Sequence, residues 1–160
     1  MQTTAVVIEE PERLALRRLE MVEPGDADVV VSVDWSGIST GTERLLYTGR
    51  MPPFPGLGYP LVPGYEAVGR VIDARPDSGR RVGEPVFVAG ARCFSGVHSL
   101  FGSTAAQLVV PGARALPLAQ QIGADGVLLA LAATALHAGW GAGGQPPDLI
   151  VGHGAFGRLL

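Results

Sequence analysis

Close to its end the chain carries Asp148-Leu149-Ile150-Val151 followed by Gly152-His153-Gly154-Ala155-Phe156-Gly157. An apolar run of that length reads as a short buried strand, and the second segment is a complete G-x-G-x-x-G. In a strand–turn–helix setting each glycine has its own task. Gly152 makes the tight turn, Gly154 lets a pyrophosphate approach the backbone, and Gly157 lets the next helix sit close to the strand. The helix N-terminus then meets the phosphate with free amides. Only Arg158, Leu159 and Leu160 follow, so the acidic residue that would contact a ribose is not among these residues, and NAD and NADP are not separated. The expectation is an N-terminal part of a two-domain nucleotide-dependent enzyme, inactive as the 160 residues alone.

The rest of the chain is cut into short apolar runs by 23 glycines and 13 prolines, a distribution that favours strands and turns over long helices. Residues 3–8 and 14–20 predict two strands joined by a turn at Glu9-Glu10-Pro11-Glu12-Arg13. Residues 28–35 predict a stronger one, with Val29, Val31 and Val33 on one face and Val30, Ser32 and Asp34 on the other. A short helix over 43–47 follows, capped by Thr42 or Gly41. Residues 49–60 form an irregular loop with four prolines. Further strands are expected at 67–74, in a turn-strand unit over 81–89, at 101–111 and as a short edge at 114–118. Residues 119–140 turn rich in Ala and Leu and read as two helical segments broken near 123–125, followed by a breaker over 141–147. The change of character near residue 118 sets the expected boundary between a first domain, 1–118, and a second, 119–160.

Charge and cysteine usage exclude several classes. The formal net charge is −3, all twelve basic residues are arginines and they form no basic block, which argues against a nucleic-acid partner. The longest nearly apolar stretch, 126–135, is too short to cross a bilayer. The N-terminus lacks the basic and apolar regions of a secretion signal, so a soluble cytoplasmic protein is expected. Cys93 is the single cysteine. It excludes an internal disulfide or a multi-cysteine zinc site and reads as an inert thiol.

The order of motifs resembles the medium-chain dehydrogenase/reductase family. Gly37-Ile38-Ser39-Thr40-Gly41-Thr42-Glu43 stands where the family carries G-I-C-G-T-D, and Pro63-Gly64-Tyr65-Glu66-Ala67-Val68-Gly69-Arg70-Val71 where it carries P-G-H-E and a strand ending V-G-x-V. Gly83-Glu84-Pro85-Val86 is similar to its G-D-x-V turn, and Ala132-Ala133-Thr134-Ala135-Leu136-His137-Ala138 to its A-x-T-A-x-x-A helix. The resemblance implies a mainly β fold: a GroES-like irregular barrel, then helices and the first strand and glycine turn of a truncated Rossmann domain. It also implies an NAD- or NADP-dependent dehydrogenase with Gly152, Gly154 and Gly157 at the cofactor.

The family's zinc ligands are replaced. The cysteine of G-I-C is Ser39, the histidine of G-H-E is Tyr65, and the third ligand position, four residues before Thr134, is Ala130. Serine, tyrosine and alanine do not build a thiolate/imidazole site, so no zinc is expected. Hydride transfer without a metal still needs a proton acceptor and stabilisation of alkoxide charge. The catalytic candidates are Tyr65, Thr42, Ser39 and Glu66. For two of them a second reading stays open: Tyr65 fills the vacated metal position, or Thr42 caps a helix. His98 and His137 read as an exposed and a structural histidine.

The segments 35–46, 60–69 and 147–154 further resemble a branch of the family acting on chlorin-type tetrapyrroles. That implies a small-molecule tetrapyrrole substrate whose hydroxyethyl group is oxidised to acetyl in bacteriochlorophyll synthesis. It is also compatible with a homo-oligomeric full-length protein. Phe54, Leu57 and Tyr59, in the 51–59 loop, would either contact the macrocycle or pack on the barrel. A zinc-free alcohol, polyol or quinone oxidoreductase, and a non-catalytic GroES-like binding module, are the alternatives.

Overall fold

The computed structural model describes residues 1–99, 101–141, 143–144 and 147–160. Contacts divide the chain into two compact units, Met1–Val127 and Leu128–Leu160.

The first unit opens with a hairpin of β1 (Gln2–Glu10) and β2 (Arg13–Glu20). Its turn needs a left-handed backbone at Glu12 (φ +66°), a conformation most side chains avoid. Tyr47 holds it from both sides: the Glu12 N–H donates to the Tyr47 carbonyl at 2.6 Å, and the Tyr47 hydroxyl donates to the Glu12 carbonyl at 2.8 Å. Thr3, Ala5 and Val7 point inward and are buried, while Leu14 and Leu16 on the partner strand are exposed.

A curled five-stranded antiparallel sheet follows in the order β6-β3-β4-β5-β7, built from β3 (Asp28–Ser36), β4 (Ala67–Ala74), β5 (Pro85–Val88), β6 (Gln107–Pro111) and β7 (Ala115–Pro117). Single bridges at Ala5–Ala105, Ile8–Leu61 and Met21–Phe94 tie the hairpin to the loops around this sheet. The sheet and hairpin form a GroES-like half-barrel, not a regularly closed one. Val29, Val30 and Val31 are all fully buried, so strict alternation fails at the start of β3, where the strand is covered on both faces and its register with β4 shifts between Val30 and Val31. A second shift between Val33 and Trp35 leaves Asp34 and Trp35 exposed. At Gly69 a Cβ would stand 2.0 Å from the Ser32 carbonyl oxygen, so only glycine lets β3 and β4 approach there.

The main core gathers Val7, Leu19, Val29–Val31, Val62, Val86, Val88 and Leu108 among others. A smaller one joins Ile8, Leu46 and Leu61, with Tyr47, Met51, Leu57, Tyr59 and Phe101 packed against it. The 49–60 loop is therefore anchored by its own apolar residues, and the Tyr59 hydroxyl bonds the Leu46 carbonyl. Of the two readings of this loop, packing on the barrel accounts for Leu57 and Tyr59.

The first unit ends later than the change in composition. Residues 119–122 are not helical, and Gly123–Leu128 is a 3-10 turn in place of a helix break. Gly126 is buried against Leu118, Val68 and Ile122, and Arg70 bonds Gln120 at 3.1 Å. These contacts hold 119–127 on the sheet.

The second unit has one longer helix, α2 (Leu129–Gly141), and one short helix, α3 (Ala155–Leu159). Residues 142, 145 and 146 of the expected breaker lie outside the described residues. The 148–151 segment, read as a strand, pairs with no strand among the described residues, and Leu149 and Val151 are exposed. The glycine turn does lead directly into a helix, as the start of a βα unit requires. No described helix is long and apolar enough to cross a membrane.

Candidate functional site

The 37–43 segment is shaped by hydrogen bonds that its sequence supplies. α1 spans Thr42–Tyr47 with Gly41 at its N-cap, so Thr42 opens the helix and does not cap it. The capping side chain is Ser39. Its Oγ accepts the Thr42 N–H at 3.4 Å, and the Glu43 Oε2 accepts the Ser39 N–H at 2.9 Å. This is a reciprocal arrangement like a capping box, with the acid one position further along. The Ser39 carbonyl also accepts the Glu43 N–H at 3.0 Å. The inserted Thr40 lengthens the approach, which explains why the acid falls at the fourth position and not the third.

Ser39 and Glu43 line a cavity of about 390 Å³ between the hairpin and α1. Val6, Ile8, Leu14 and Ile38 give it apolar walls, and Arg44 and Thr104 add polar groups. Tyr65, Thr42 and Glu66 do not line it. Tyr65 is half-buried with its ring against Phe101, centroids 5.6 Å apart and planes tilted by 56°. Its hydroxyl makes no hydrogen bond among the described residues. Of the four catalytic candidates, only Ser39 faces the cavity.

Glu66 is 5% exposed and sits over Gly37. A Cβ at Gly37 would lie 2.6 Å from the Glu66 Oε2, and the Gly37 N–H donates to the Glu66 carbonyl at 2.6 Å. The glycine of the G-I-S motif is thus the space that the carboxylate occupies. The other oxygen, Oε1, has no hydrogen-bond partner, and neither does the Glu43 Oε1. Burial raises the Glu66 carboxyl above the ordinary carboxylate range, and the nearby Glu43 charge pushes the same way. Burial also raises Glu43, opposed by the amides of Glu43, Ser39 and Gly64. The pair is destabilised as two anions and stabilised by holding protons. By sequence alone Glu43 marks the start of a helix. The signal available was its spacing of four from Ser39.

The donor set does not fit a catalytic zinc. Ser39, Tyr65 and Ala130 stand at the ligand positions, and no group of three or more His, Cys, Asp or Glu able to hold a metal occurs among the described residues. Cys93 is buried in the main core, and burial pushes its thiol up to about 11, so it offers a protonated sulfur at neutral pH.

At the glycine turn, Gly152 has φ +101°, open to glycine at no steric cost. A Cβ at Gly157 would come 2.7 Å from the Gly152 carbonyl oxygen, whereas one at Gly154 would meet nothing within 4 Å. Two glycines therefore close the turn onto α3 and the middle one faces open space.

The alcohol dehydrogenase GroES-like domain model matches residues 25–120. The chain belongs to this family. Within the medium-chain dehydrogenases it is 53% identical over its whole length to the 2-desacetyl-2-hydroxyethyl bacteriochlorophyllide A dehydrogenase of Cereibacter sphaeroides, covering 52% of that protein. It is 51% identical to the protein of the same name from Rhodobacter capsulatus, covering 51% of it. The chain thus spans about half the length of these curated relatives. An Escherichia coli oxidoreductase/dehydrogenase of unknown specificity shares the fold with a TM-score of 0.80 at 19% identity, over 99% of this chain and 53% of that one. The GroES-like domain accounts for the half-barrel, while the two relatives extend the likeness through the glycine turn.

Proposed function

We propose that this chain forms the substrate-side domain and the start of the cofactor domain of an NAD-linked dehydrogenase. In our reading it oxidises the hydroxyethyl group of a bacteriochlorophyllide to acetyl, in bacteriochlorophyll synthesis. The observation that carries this is likeness at 53% and 51% identity, from the half-barrel through the glycine turn, to two proteins named for that activity.

NAD, when bound, supplies the hydride acceptor, and Gly152, Gly154 and Gly157 would hold its pyrophosphate against the backbone. The carbinol C–H bond breaks with its electron pair, the hydroxyl proton leaves, and a ketone forms. Residues of this chain bind and orient the substrate, and Glu43, which lines the same cavity, takes the hydroxyl proton in its ionised form. Ser39 is the candidate best placed for substrate oxygen: its Oγ accepts an amide, which leaves its own O–H to donate. Glu66, with an unpartnered oxygen, and Glu43 form the protonatable pair behind it. Tyr65 and Thr42 then take positioning roles, Tyr65 by filling the metal position against Phe101. No step passes through zinc, because the residues at the ligand positions do not fit it. The enzyme is expected to be soluble and cytoplasmic.

The test uses the full-length protein with NAD, comparing a hydroxyethyl-chlorin with small secondary alcohols. Selective oxidation of the chlorin supports the reading. A clear preference for small alcohols replaces it with a general zinc-free alcohol oxidoreductase, and failure to bind NAD replaces it with a binding module.

A further inference from the structure

The cavity beside Ser39 continues onto the outer face of the β1–β2 hairpin. Leu14 and Leu16 are two residues apart on β2 and point to the same side, 56% and 76% exposed. Their register partners Ile8 and Val6 lie on the same face, and both line the cavity with Leu14. Ile38, 74% exposed, forms part of the opposite wall. Trp35, 56% exposed, borders a second concavity that shares Val6 with the first and also holds Leu16. Leu14 and Ile38 thus stand in solvent around the cavity, and Leu16 and Trp35 around the adjoining concavity. Isolated exposed apolar residues need no explanation, but a contiguous group around a cavity marks a binding surface.

Of the two ionisable groups that line this cleft, Glu43 accepts the Ser39 N–H through Oε2, and Arg44 is the basic one. Arg44 lines the cavity, is exposed, and has no carboxylate salt-bridged to its guanidinium among the described residues. The walls are apolar and the free charge is positive, so the complementary ligand is apolar over most of its area and carries an anion at its edge. The cavity is too small to enclose a whole tetrapyrrole, yet it is large enough to take one edge of the ring while the remainder lies along Leu14, Leu16 and Ile38.

We propose that this cleft is the tetrapyrrole site. One edge of the macrocycle enters beside Ser39, the ring face lies on Leu14 and Ile38, and Arg44 pairs with the ring's free carboxylate. This rests on the function proposed above and adds the residues that select a large, flat, carboxylate-bearing substrate. In the 51–59 loop, Met51, Leu57 and Tyr59 pack against the small core instead.

The experiment uses the full-length protein and two probes, a hydroxyethyl-chlorin with its carboxyl free and the same chlorin as its methyl ester. Binding is read from the shift of the visible absorption bands and turnover from NADH formation. Arg44→Gln is expected to weaken binding of the free acid about three- to five-fold, the upper range for an exposed ion pair, and to leave the ester unchanged. Ile38→Ser is expected to weaken both about ten-fold by removing an apolar wall, with the KM for NAD unaltered. Both residues are exposed, so both variants should keep the parent melting temperature. Equal effects of Arg44→Gln on acid and ester, or unchanged binding in Ile38→Ser, would overturn the assignment of this cleft even if the parent protein oxidises the chlorin. Absence of chlorin turnover with binding intact would instead remove the functional reading.

Discussion

Gly37→Ala puts the steric logic of the G-I-S motif to a direct test. The added Cβ would stand 2.6 Å from the Glu66 Oε2, 3.1 Å from its Cβ and 3.4 Å from its Cδ. The shortest of these is nearly an ångström inside van der Waals contact, so Glu66 must move. It has little freedom to do so, because its side chain is buried and its carbonyl is bonded to the Gly37 N–H at 2.6 Å. Overpacking of this kind costs about 1–3 kcal/mol. Loss of glycine's freedom in the unfolded chain returns about 0.4–1 kcal/mol. The expected net destabilisation is about 1–2 kcal/mol, a fall in melting temperature of roughly 2–8 °C. The assay is urea unfolding of the parent, Gly37→Ala, Glu66→Ala and the double variant. Because Glu66→Ala removes the Oε2 and Cδ that clash, the double variant should be more stable than the sum of the single effects by at least about 0.5 kcal/mol. Additive effects, or a Gly37→Ala protein as stable as the parent, would refute the account of why a glycine occupies this position.

Other outcomes follow from the same geometry. Glu43 and Glu66 are both raised by burial, so their contribution to stability is full below the unfolded carboxylate pKa and is lost as pH rises through the folded values; Glu66→Gln should flatten the fall of melting temperature above pH 4.5, and an unchanged slope would contradict the coupling. The Cys93 thiol, pushed up to about 11, should resist alkylation at pH 8 in the native protein and react within minutes in denaturant, as mass spectrometry of the adduct would show. Ser39→Ala removes a long cap bond of 3.4 Å and should cost only about 0.5 kcal/mol while lowering kcat/KM at least ten-fold; a stability loss without an activity loss would make Ser39 purely a cap. Gly157→Ala, whose Cβ would sit 2.7 Å from the Gly152 carbonyl oxygen, should raise the Kd for NADH several-fold in a fluorescence titration, with chlorin binding unchanged.

The strands were legible because their signal is local. Residues 2–10, 13–20 and 67–74 pair where β-branched runs meet turn residues, and the Pro11–Glu12 corner follows from the proline. The start of β3 was less so. Three consecutive buried valines cannot alternate, and the register shifts that accommodate them depend on β4. The boundary near residue 118 marks a change in composition, but 119–127 stays with the sheet through Gly126 and Arg70, contacts separated widely in sequence. Residues 148–151 have a strand's composition without a partner among the described residues, because pairing belongs to the sheet and not to the segment. The replacement of the metal ligands at Ser39, Tyr65 and Ala130 was readable by position. The cavity was not: Leu14 and Glu43 come from a hairpin and a helix whose approach no short pattern announces.

Oxidation without a metal, as proposed for the full-length protein, is open to one direct measurement. The full-length protein, dialysed exhaustively against a strong chelator and analysed for bound metal, is assayed for NADH formation with a hydroxyethyl-chlorin. Turnover unchanged from the undialysed protein, with metal far below one ion per chain, is the result expected from Ser39, Tyr65 and Ala130 at the ligand positions. Turnover lost on chelation and restored by added zinc would contradict it.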